Sequence, residues 1–309
     1  MVQPRTAEAG GPLPVAAEGA FSPAWYRPLL HFVRGKPLGT ASAVVLALMV
    51  LIAVLAPLLS PFDPLVHDNA YELQGPSSQH VFGTDQYGRD VLSRIIYGAR
   101  TSLYVGTGAT LLGIGLAVVI GTASAYFGGA FDYAVQRVVD TVQAIPALIL
   151  LITILVILGP SLTNVIIALS IRSAMVTSRV VRGSALAVLA QPFIDAGRLL
   201  GASHQRLIGR YIVPNIMAPV IVLASINFGG NILAEASLSF LGYGVPPPTA
   251  SWGGMLSAEG RAYMFAAPWL LIAPTVVLTL VVFASNMFGD ALRDVLDPRL
   301  RGAGNSAAT

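Results

Sequence analysis

Few side chains in this sequence could carry out chemistry. It contains no cysteine, four histidines and a single lysine, Lys36, among 309 residues. Without cysteine there is no disulfide, thiol nucleophile or cysteine metal site. Lys36 stands in Arg-Gly-Lys-Pro and not in the G-x-x-x-x-G-K-[ST] loop that binds nucleotide phosphates, so we expect no ATPase in this chain. All four histidines lie outside the apolar runs, which disfavours the serine–histidine pair of an intramembrane hydrolase.

The polar side chains with the clearest spacing lie within one apolar run. Asn227, Asn231 and Glu235 recur every four residues and therefore share one face of a predicted helix. An acid inside a membrane span is costly, which makes Glu235 a functional candidate. The stripe could line an aqueous path for a solute, or it could hydrogen-bond to neighbouring helices. The sequence leaves both interpretations open.

The composition is that of a membrane protein. The chain is 55% hydrophobic and 11% charged, with a mean hydropathy of +0.72, whereas a soluble domain is about 25% charged. A membrane-crossing helix needs about 20 apolar residues. Charge-free windows of this length occur at 37–62, 101–131, 141–171, 211–234 and 262–289. The breaker Gly159-Pro160 divides the third window and predicts separate spans at about 135–158 and 161–180.

The placement of arginine decides between five and six spans. Residues 172–215 contain six arginines and one acid, Asp195, and basic residues of short loops stay cytoplasmic. Six spans keep this segment and both termini inside, and leave only four of the 18 basic residues outside. We therefore predict an all-α protein with six transmembrane helices in a bacterial cytoplasmic membrane, with both termini cytoplasmic.

The same reasoning divides the chain into three parts. Residues 1–36 are predicted to form a cytoplasmic tail with an interfacial segment, and 291–309 a second cytoplasmic tail. The six-helix transmembrane domain covers 37–290. It includes an outer loop at 63–100 and a basic loop at 181–214.

Small residues recur in the second predicted span. Gly113, Ala117 and Gly121 are spaced by four, a pattern that lets two helix backbones approach closely. We expect this stripe to pack against another helix of the same chain. A contact with a second subunit is the alternative.

The basic loop has the local pattern of two short helices. Pro192 suits a first helical position and Asp195 complements the dipole of that helix near its N-terminus. Gly201 breaks the helix, and Ser203 is a candidate cap for a second helix from His204 towards Pro214. Two short amphipathic helices at a bend form a protrusion that could bind in the groove of a partner.

This loop resembles the E-A-A-x3-G…I-x-L-P signature of ABC importer permeases. Asp195-Ala196-Gly197, Gly201 and Ile212-Val213-Pro214 carry the resemblance, with aspartate in place of glutamate and Gly197 in place of the second alanine. The resemblance implies that the loop docks into a groove of an ATP-binding subunit. The residues implied in this contact are Asp195, Ala196, Gly197, Arg198, Leu200, Gly201 and Ala202.

Three further stretches resemble the C-type subunits of dipeptide, oligopeptide and nickel permeases. They lie at 80–103, 238–253 and 286–299. The resemblance implies a second, B-type permease subunit, two partner ATP-binding domains that hold ATP and Mg, and an external solute-binding protein. It implies no cofactor in this chain, no enzymatic activity and no nucleic-acid partner. Peptides are the expected cargo, with nickel chelates or another small solute as alternatives. A self-contained secondary transporter is the rival class, but it would show internal repeats, and none is evident.

The outer loop ends in a turn followed by an amphipathic helix. Val91 and Ile95 fall on one face of this helix. The stretch could simply close the outer surface. Alternatively, Asp85, Arg89 and Asp90 could contact the solute-binding protein.

Overall fold

The computed structural model describes residues 36–296, together with Val33 and Gly35. The predicted interfacial segment and the residues after Leu296 lie outside the described residues. Within these residues the chain forms eight helices of eight residues or more: α1 Pro37–Val54, α2 Val91–Phe127, α3 Gly129–Ala144, α4 Ala147–Leu158, α5 Leu162–Leu189, α6 Pro192–Leu199, α7 Met217–Phe240 and α8 Trp269–Leu296. Short helical turns occur at Ala56–Leu59, Asn69–Tyr71, Trp252–Met255 and Ala258–Ala262. The described part of the chain contains no β-strand, which confirms the all-α prediction.

Five of these helices are long and apolar enough to cross a membrane, namely α1, α2, α5, α7 and α8. A sixth crossing is available only if α3 and α4, which meet at a bend of 95°, form one broken span. The predicted span at about 135–158 is therefore not one continuous helix. Pro146 lacks an N–H donor and restricts Ile145 to an extended conformation with ψ of 130°, so the helix ends there. With 12 residues, α4 alone is only about 18 Å long.

Helix α3 is fastened beside α5 by charged side chains. Asp132 pairs with Arg182, and Asp140 pairs with Arg179. Val139 is the one residue of α3 that is buried in the chain. An amphipathic helix with little burial and charged anchors is typical of a segment at a membrane surface.

Two helices extend beyond their predicted ends. At 37 residues, α2 is about 56 Å long and exceeds the hydrocarbon thickness. It begins inside the predicted outer loop, where Asp90 caps it by accepting a hydrogen bond from the Ser93 N–H. Helix α5 continues to Leu189, inside the predicted basic loop.

Helices α2 and α5 run in the same direction and are in close contact. A Cβ atom at Gly113 would lie 2.2 Å from Ser173 Oγ, and one at Gly121 would lie 2.5 Å from the carbonyl oxygen of Ser178. Ala117, between them, is fully buried. These distances confirm that the small-residue stripe packs against a helix of the same chain.

Contacts of the remaining helices show which segments lie at each end of the bundle. Helix α7 runs opposite to α2, because Ile232 lies against Gly106 while Asn227 reaches Thr177 near the far end of α5. Lys36 before α1 pairs with Asp294 near the end of α8 at 2.5 Å. Both ends of the described chain therefore lie together, which agrees with the predicted even number of crossings. We call this end, with α6, the basal end. The opposite end is closed by residues 60–90 and 241–268, which we call the cap.

Candidate functional site

Helix α6 is anchored to the basal end by one face. Ile194 is fully buried in a cluster with Ile212, Ile216 and Val181. Gly197 is also buried, and a Cβ atom there would lie 3.2 Å from Leu207. The helix begins with Pro192 in its first turn and carries Asp195 there, as the sequence predicted.

The other face of α6 and the turn after it project from the protein. Leu199 and Leu200 are 89% and 88% exposed, and Asp195 and Arg198 form a surface ion pair at 3.2 Å. Of the seven residues implied in docking, Asp195, Ala196, Arg198, Leu200 and Gly201 are exposed, Ala202 is half-buried and Gly197 is buried. The exposed leucines form an apolar knob, which we define as Leu199 and Leu200.

The bend after the knob has the expected local chemistry. Gly201 adopts a positive φ of 75°, a conformation in which other residues are strained. Ser203 caps the next helical segment by accepting a hydrogen bond from the Arg206 N–H at 3.3 Å. This segment is irregular, because Leu207–Ile212 is π-helical between the short α-helical pieces His204–Arg206 and Val213–Asn215. π-helical turns occur frequently at functional sites.

A contact from α2 supports the bend. Tyr126 Oη lies 2.6 Å from His204 Nδ1, which joins the basal end of α2 to the segment after Ser203. The ring of Phe193 stacks on that of Tyr211, with centroids 6.5 Å apart. Sequence reasoning missed Tyr126, and no local pattern could have revealed it, because 78 residues separate it from His204.

The polar stripe of α7 joins helices of the same bundle. Asn227 Nδ2 donates to Thr177 Oγ1 at 3.0 Å, and Asn231 Nδ2 donates to Thr110 Oγ1 at 3.1 Å. Glu235 is fully buried, and its Oε1 atom accepts a hydrogen bond from Ser239 Oγ at 2.7 Å. In this conformation the stripe therefore links α7 to α5 and α2, and Glu235 is sealed from any open path.

Asp85, Arg89 and Asp90 are buried within the cap. Asp85 Oδ2 pairs with Arg89 Nε at 2.7 Å and with Arg94 Nε at 3.5 Å. Asp90, only 2% exposed, accepts hydrogen bonds from the N–H and the hydroxyl of Ser93, both at 2.7 Å. His80 Nδ1 lies 2.9 Å from its other oxygen. These three residues hold the cap together from inside.

Tryptophan side chains fix the cap to the helices. Trp252 is 1% exposed, and its Nε1 donates to the carbonyl oxygen of Ile95 at 3.0 Å. Trp269 Nε1 donates to the carbonyl oxygen of Thr84 at 3.2 Å. Among the described residues no group of three or more His, Cys, Asp or Glu side chains could hold a metal ion.

The described fold is that of a multi-pass, helical membrane protein. Residues 113–302 match the family described as the binding-protein-dependent transport system inner membrane component. Residues 31–76 match the N-terminal transmembrane domain of oligopeptide transport permease C. The chain belongs to this family of ABC importer permeases, whose members are transport components and not enzymes.

Two relatives match along most of the chain. The dipeptide transport system permease protein of Alkalihalophilus pseudofirmus is 39% identical over 300 residues, which cover 96% of each chain. The glutathione transport system permease protein of an Escherichia coli strain is 37% identical over 272 residues, or 87% of this chain and 89% of the relative. A chain of the MetNI methionine ABC transporter, in an inward-facing conformation, shares the fold alone. Its TM-score is 0.54 at 18% identity, covering 67% of this chain and 97% of that one.

Proposed function

We propose that this chain forms one half of the translocation path of an importer for peptides. The other half would be a B-type permease subunit, and an external solute-binding protein would deliver the cargo. Relatives named as dipeptide and glutathione permeases support a small peptide as the cargo. The observation that carries the proposal is the apolar knob, because two leucines almost fully exposed outside the apolar spans need a partner to cover them.

The partner at the knob is an ATP-binding subunit. Two such domains would bind ATP and Mg and hydrolyse the nucleotide, which this chain has no phosphate loop to do. A groove on the partner would cover Leu199 and Leu200, as grooves cover the apolar face of a short helix in other complexes. Asp195 and Arg198 beside the knob would orient the contact.

Movement of the knob would reach the membrane through α7. The segment from His204 to Asn215 is helical throughout. Only Ile216 separates it from Met217, the first residue of α7. Ile194 and Gly197 fix α6 to this segment. A displacement of α6 by the ATP-binding subunit would therefore pull on the basal end of α7, and the polar stripe would transmit it to α2 and α5.

The orientation follows from the arginines. The basal end carries the arginines of the basic loop, and basic residues of short loops stay cytoplasmic. The knob and both chain ends would then face the cytoplasm of a bacterial cell, across its inner membrane. The cap would face outwards and receive the solute-binding protein, with Asp85, Arg89 and Asp90 as its internal support and the exposed Val81 and Phe82 on its surface.

The test compares two substitutions at Gly201. Because φ at Gly201 is 75°, both Gly201→Ala and Gly201→Trp introduce the same backbone strain. A Cβ atom at this position would have no other atom of the chain within 4 Å, so neither variant clashes there. Only tryptophan adds bulk where the ATP-binding subunit would sit. In proteoliposomes that contain the complete transporter and its binding protein, we expect Gly201→Trp to lower peptide uptake by about tenfold relative to Gly201→Ala.

Stimulation of ATP hydrolysis by peptide-loaded binding protein should fall in parallel. Equal amounts of assembled complex in the two variants serve as the control for folding. If the tryptophan variant assembles and is still stimulated as strongly as the alanine variant, the knob is not the docking site.

A further inference from the structure

A cavity of about 560 Å³ lies between the cap and the adjoining end of α7. Its volume is within the range of about 300–1,000 Å³ that is usual for sites of small ligands. The residues of its wall that matter for binding are His67, Tyr87, Arg89, Arg94, Phe240 and Arg261. None of the described residues that line it carries a carboxylate, whereas three are arginines. Arg89 and Arg94 both pair with Asp85, so the cavity offers an anionic group the remaining donors of Arg89 and the charge of Arg261.

Arg89 is a buried cation with unused donors. Its side chain is 7% exposed, Nε pairs with Asp85 at 2.7 Å, and the guanidinium carbon lies 4.5 Å from the centroid of the Tyr87 ring. Within the described residues, its terminal nitrogens Nη1 and Nη2 make no hydrogen bond. The terminal nitrogens are therefore available to a ligand, and a carboxylate can accept two parallel hydrogen bonds from one guanidinium group.

Arg261 adds a second cation at the exposed side of the cavity. Its guanidinium carbon lies 4.4 Å from the centroid of the Phe240 ring, and it forms no ion pair within the described chain. The contact with an aromatic face restricts the direction of a side chain that would otherwise be free. Arg261 is thus held beside the cavity with its charge uncompensated by any described acid.

The backbone around the cavity is fixed by hydrogen bonds. The Val245 N–H donates to Ser239 Oγ at 3.0 Å, and the Tyr243 N–H donates to the carbonyl oxygen of Leu238 at 2.9 Å. Thr101 Oγ1 donates to the carbonyl oxygen of Ala250 at 2.8 Å. A wall already ordered before a ligand arrives lowers the entropic cost of binding.

We propose that this cavity binds the carboxylate group of a small solute, with Arg89 and Arg261 as its ligands. The C-terminal carboxylate of a short peptide has this chemistry. This choice of cargo rests on the proposed function, in which the cap faces the side from which the binding protein delivers its solute. The cavity would then hold the peptide between its release from the binding protein and its entry into the path.

The test uses a photoreactive dipeptide that ends in benzoylphenylalanine, and the C-terminal amide of the same dipeptide. The complete transporter is placed in nanodiscs without the binding protein, and labelled peptides of the chain are identified by mass spectrometry. We expect the free acid to label residues of the cap, with competition by unlabelled dialanine and not by dialanine amide. Labelling of the cap by the amide to the same extent would overturn the proposal.

Variants at exposed arginines complete the test. Arg261→Gln should weaken labelling by the free acid by about tenfold, because one charged hydrogen-bond donor is lost. Arg261→Lys keeps the charge and should retain most of the labelling. Arg100→Gln removes an exposed arginine outside the cavity and should have no effect. Undiminished labelling in Arg261→Gln would contradict the assignment of this residue.

Uptake measurements separate this proposal from the proposed function. Proteoliposomes that contain the wild-type transporter, its ATP-binding domains and its binding protein are assayed for ATP-driven peptide import. If no peptide is imported, the proposed function fails, whatever the labelling shows. If peptides are imported but the cap is unlabelled, or labelled without regard to the carboxylate, only the cavity assignment fails.

Discussion

The cap and the basal end use charged and apolar side chains in opposite ways. In the cap, Asp85, Arg89 and Asp90 are buried and paired, and Trp252 is covered almost completely. At the basal end the ion pair of Asp195 and Arg198 is on the surface, and the side chains of Leu199 and Leu200 are exposed. Buried hydrogen-bonded polar groups favour a single packing arrangement. Exposed apolar groups are typical of a surface that binds a partner.

The difference indicates whether the contacts that cover each end come from this chain or from a partner. In the cap, Asp85, Asp90 and Trp252 find their partners within the same chain. In the proposed function, the apolar surface of the knob at the basal end stays exposed until another subunit covers it. Substitutions at the two ends should therefore affect different measurements, namely stability for the cap and coupling for the knob.

The largest effect on stability is expected at the tryptophan that anchors the cap. Trp252→Ala removes a side chain that is 1% exposed and a hydrogen bond to Ile95, and should lower the free energy of unfolding by about 4 kcal/mol. Leu199→Ala should leave it unchanged, because the side chain is 89% exposed. Thermal unfolding of the purified transporter in detergent measures both. Similar losses in the two variants would remove the distinction between the ends.

Two aspartates provide a comparison of charge at the two ends. Asp90→Ala leaves His80 and the first turn of α2 without their acceptor, so we expect a loss of about 3 kcal/mol. Asp195 is 70% exposed, and Asp195→Ala should not measurably change the unfolding temperature, because surface ion pairs contribute little. It should instead reduce the ATP hydrolysis that loaded binding protein stimulates. A stability loss at Asp195 as large as that at Asp90 would contradict this expectation.

A small effect on stability is expected from the contact that supports the bend. Tyr126→Phe removes one hydrogen bond to His204 at an exposed site, which should cost less than about 1 kcal/mol. Because this bond joins α2 to the segment after the knob, we expect fewer peptides imported per ATP hydrolysed. The ratio is measured in proteoliposomes, with His204→Phe as the partner variant. A change confined to the unfolding temperature, at an unchanged ratio, would assign the contact to folding alone.

Much of the basal end could be predicted from local sequence. Pro192, Asp195, Gly201 and Ser203 each have a strong positional preference, so their order alone defined a helix, a turn and a cap. The third span shows where this approach fails. Gly159-Pro160 predicts one helix break. Pro146 also ends a helix, α3, because proline has no N–H to donate. A prediction that ignores Pro146 therefore gives one continuous helix.

The polar residues of the spans and the cap could not be interpreted from sequence. Asn227, Asn231 and Glu235 have the spacing of a lined path, yet the structure pairs two of them with threonines 50 and 121 residues away. Asp85 and Arg89 resemble surface residues of a polar loop, yet they are buried. Spacing along one helix shows which side chains share a face, but not what that face meets.

The sequence by itself determined that this chain crosses a membrane several times, that its basic loop forms a bent pair of helices, and that it belongs with the importer permeases. These properties depend on apolar run length, arginine placement and local turn chemistry, which act over a few residues. The tertiary structure alone decided that the knob is exposed, that Asn227 and Asn231 of the α7 stripe hydrogen-bond within the bundle, and that Arg89 and Arg261 line one cavity. Each of these depends on contacts between distant segments, which form only when the helices pack.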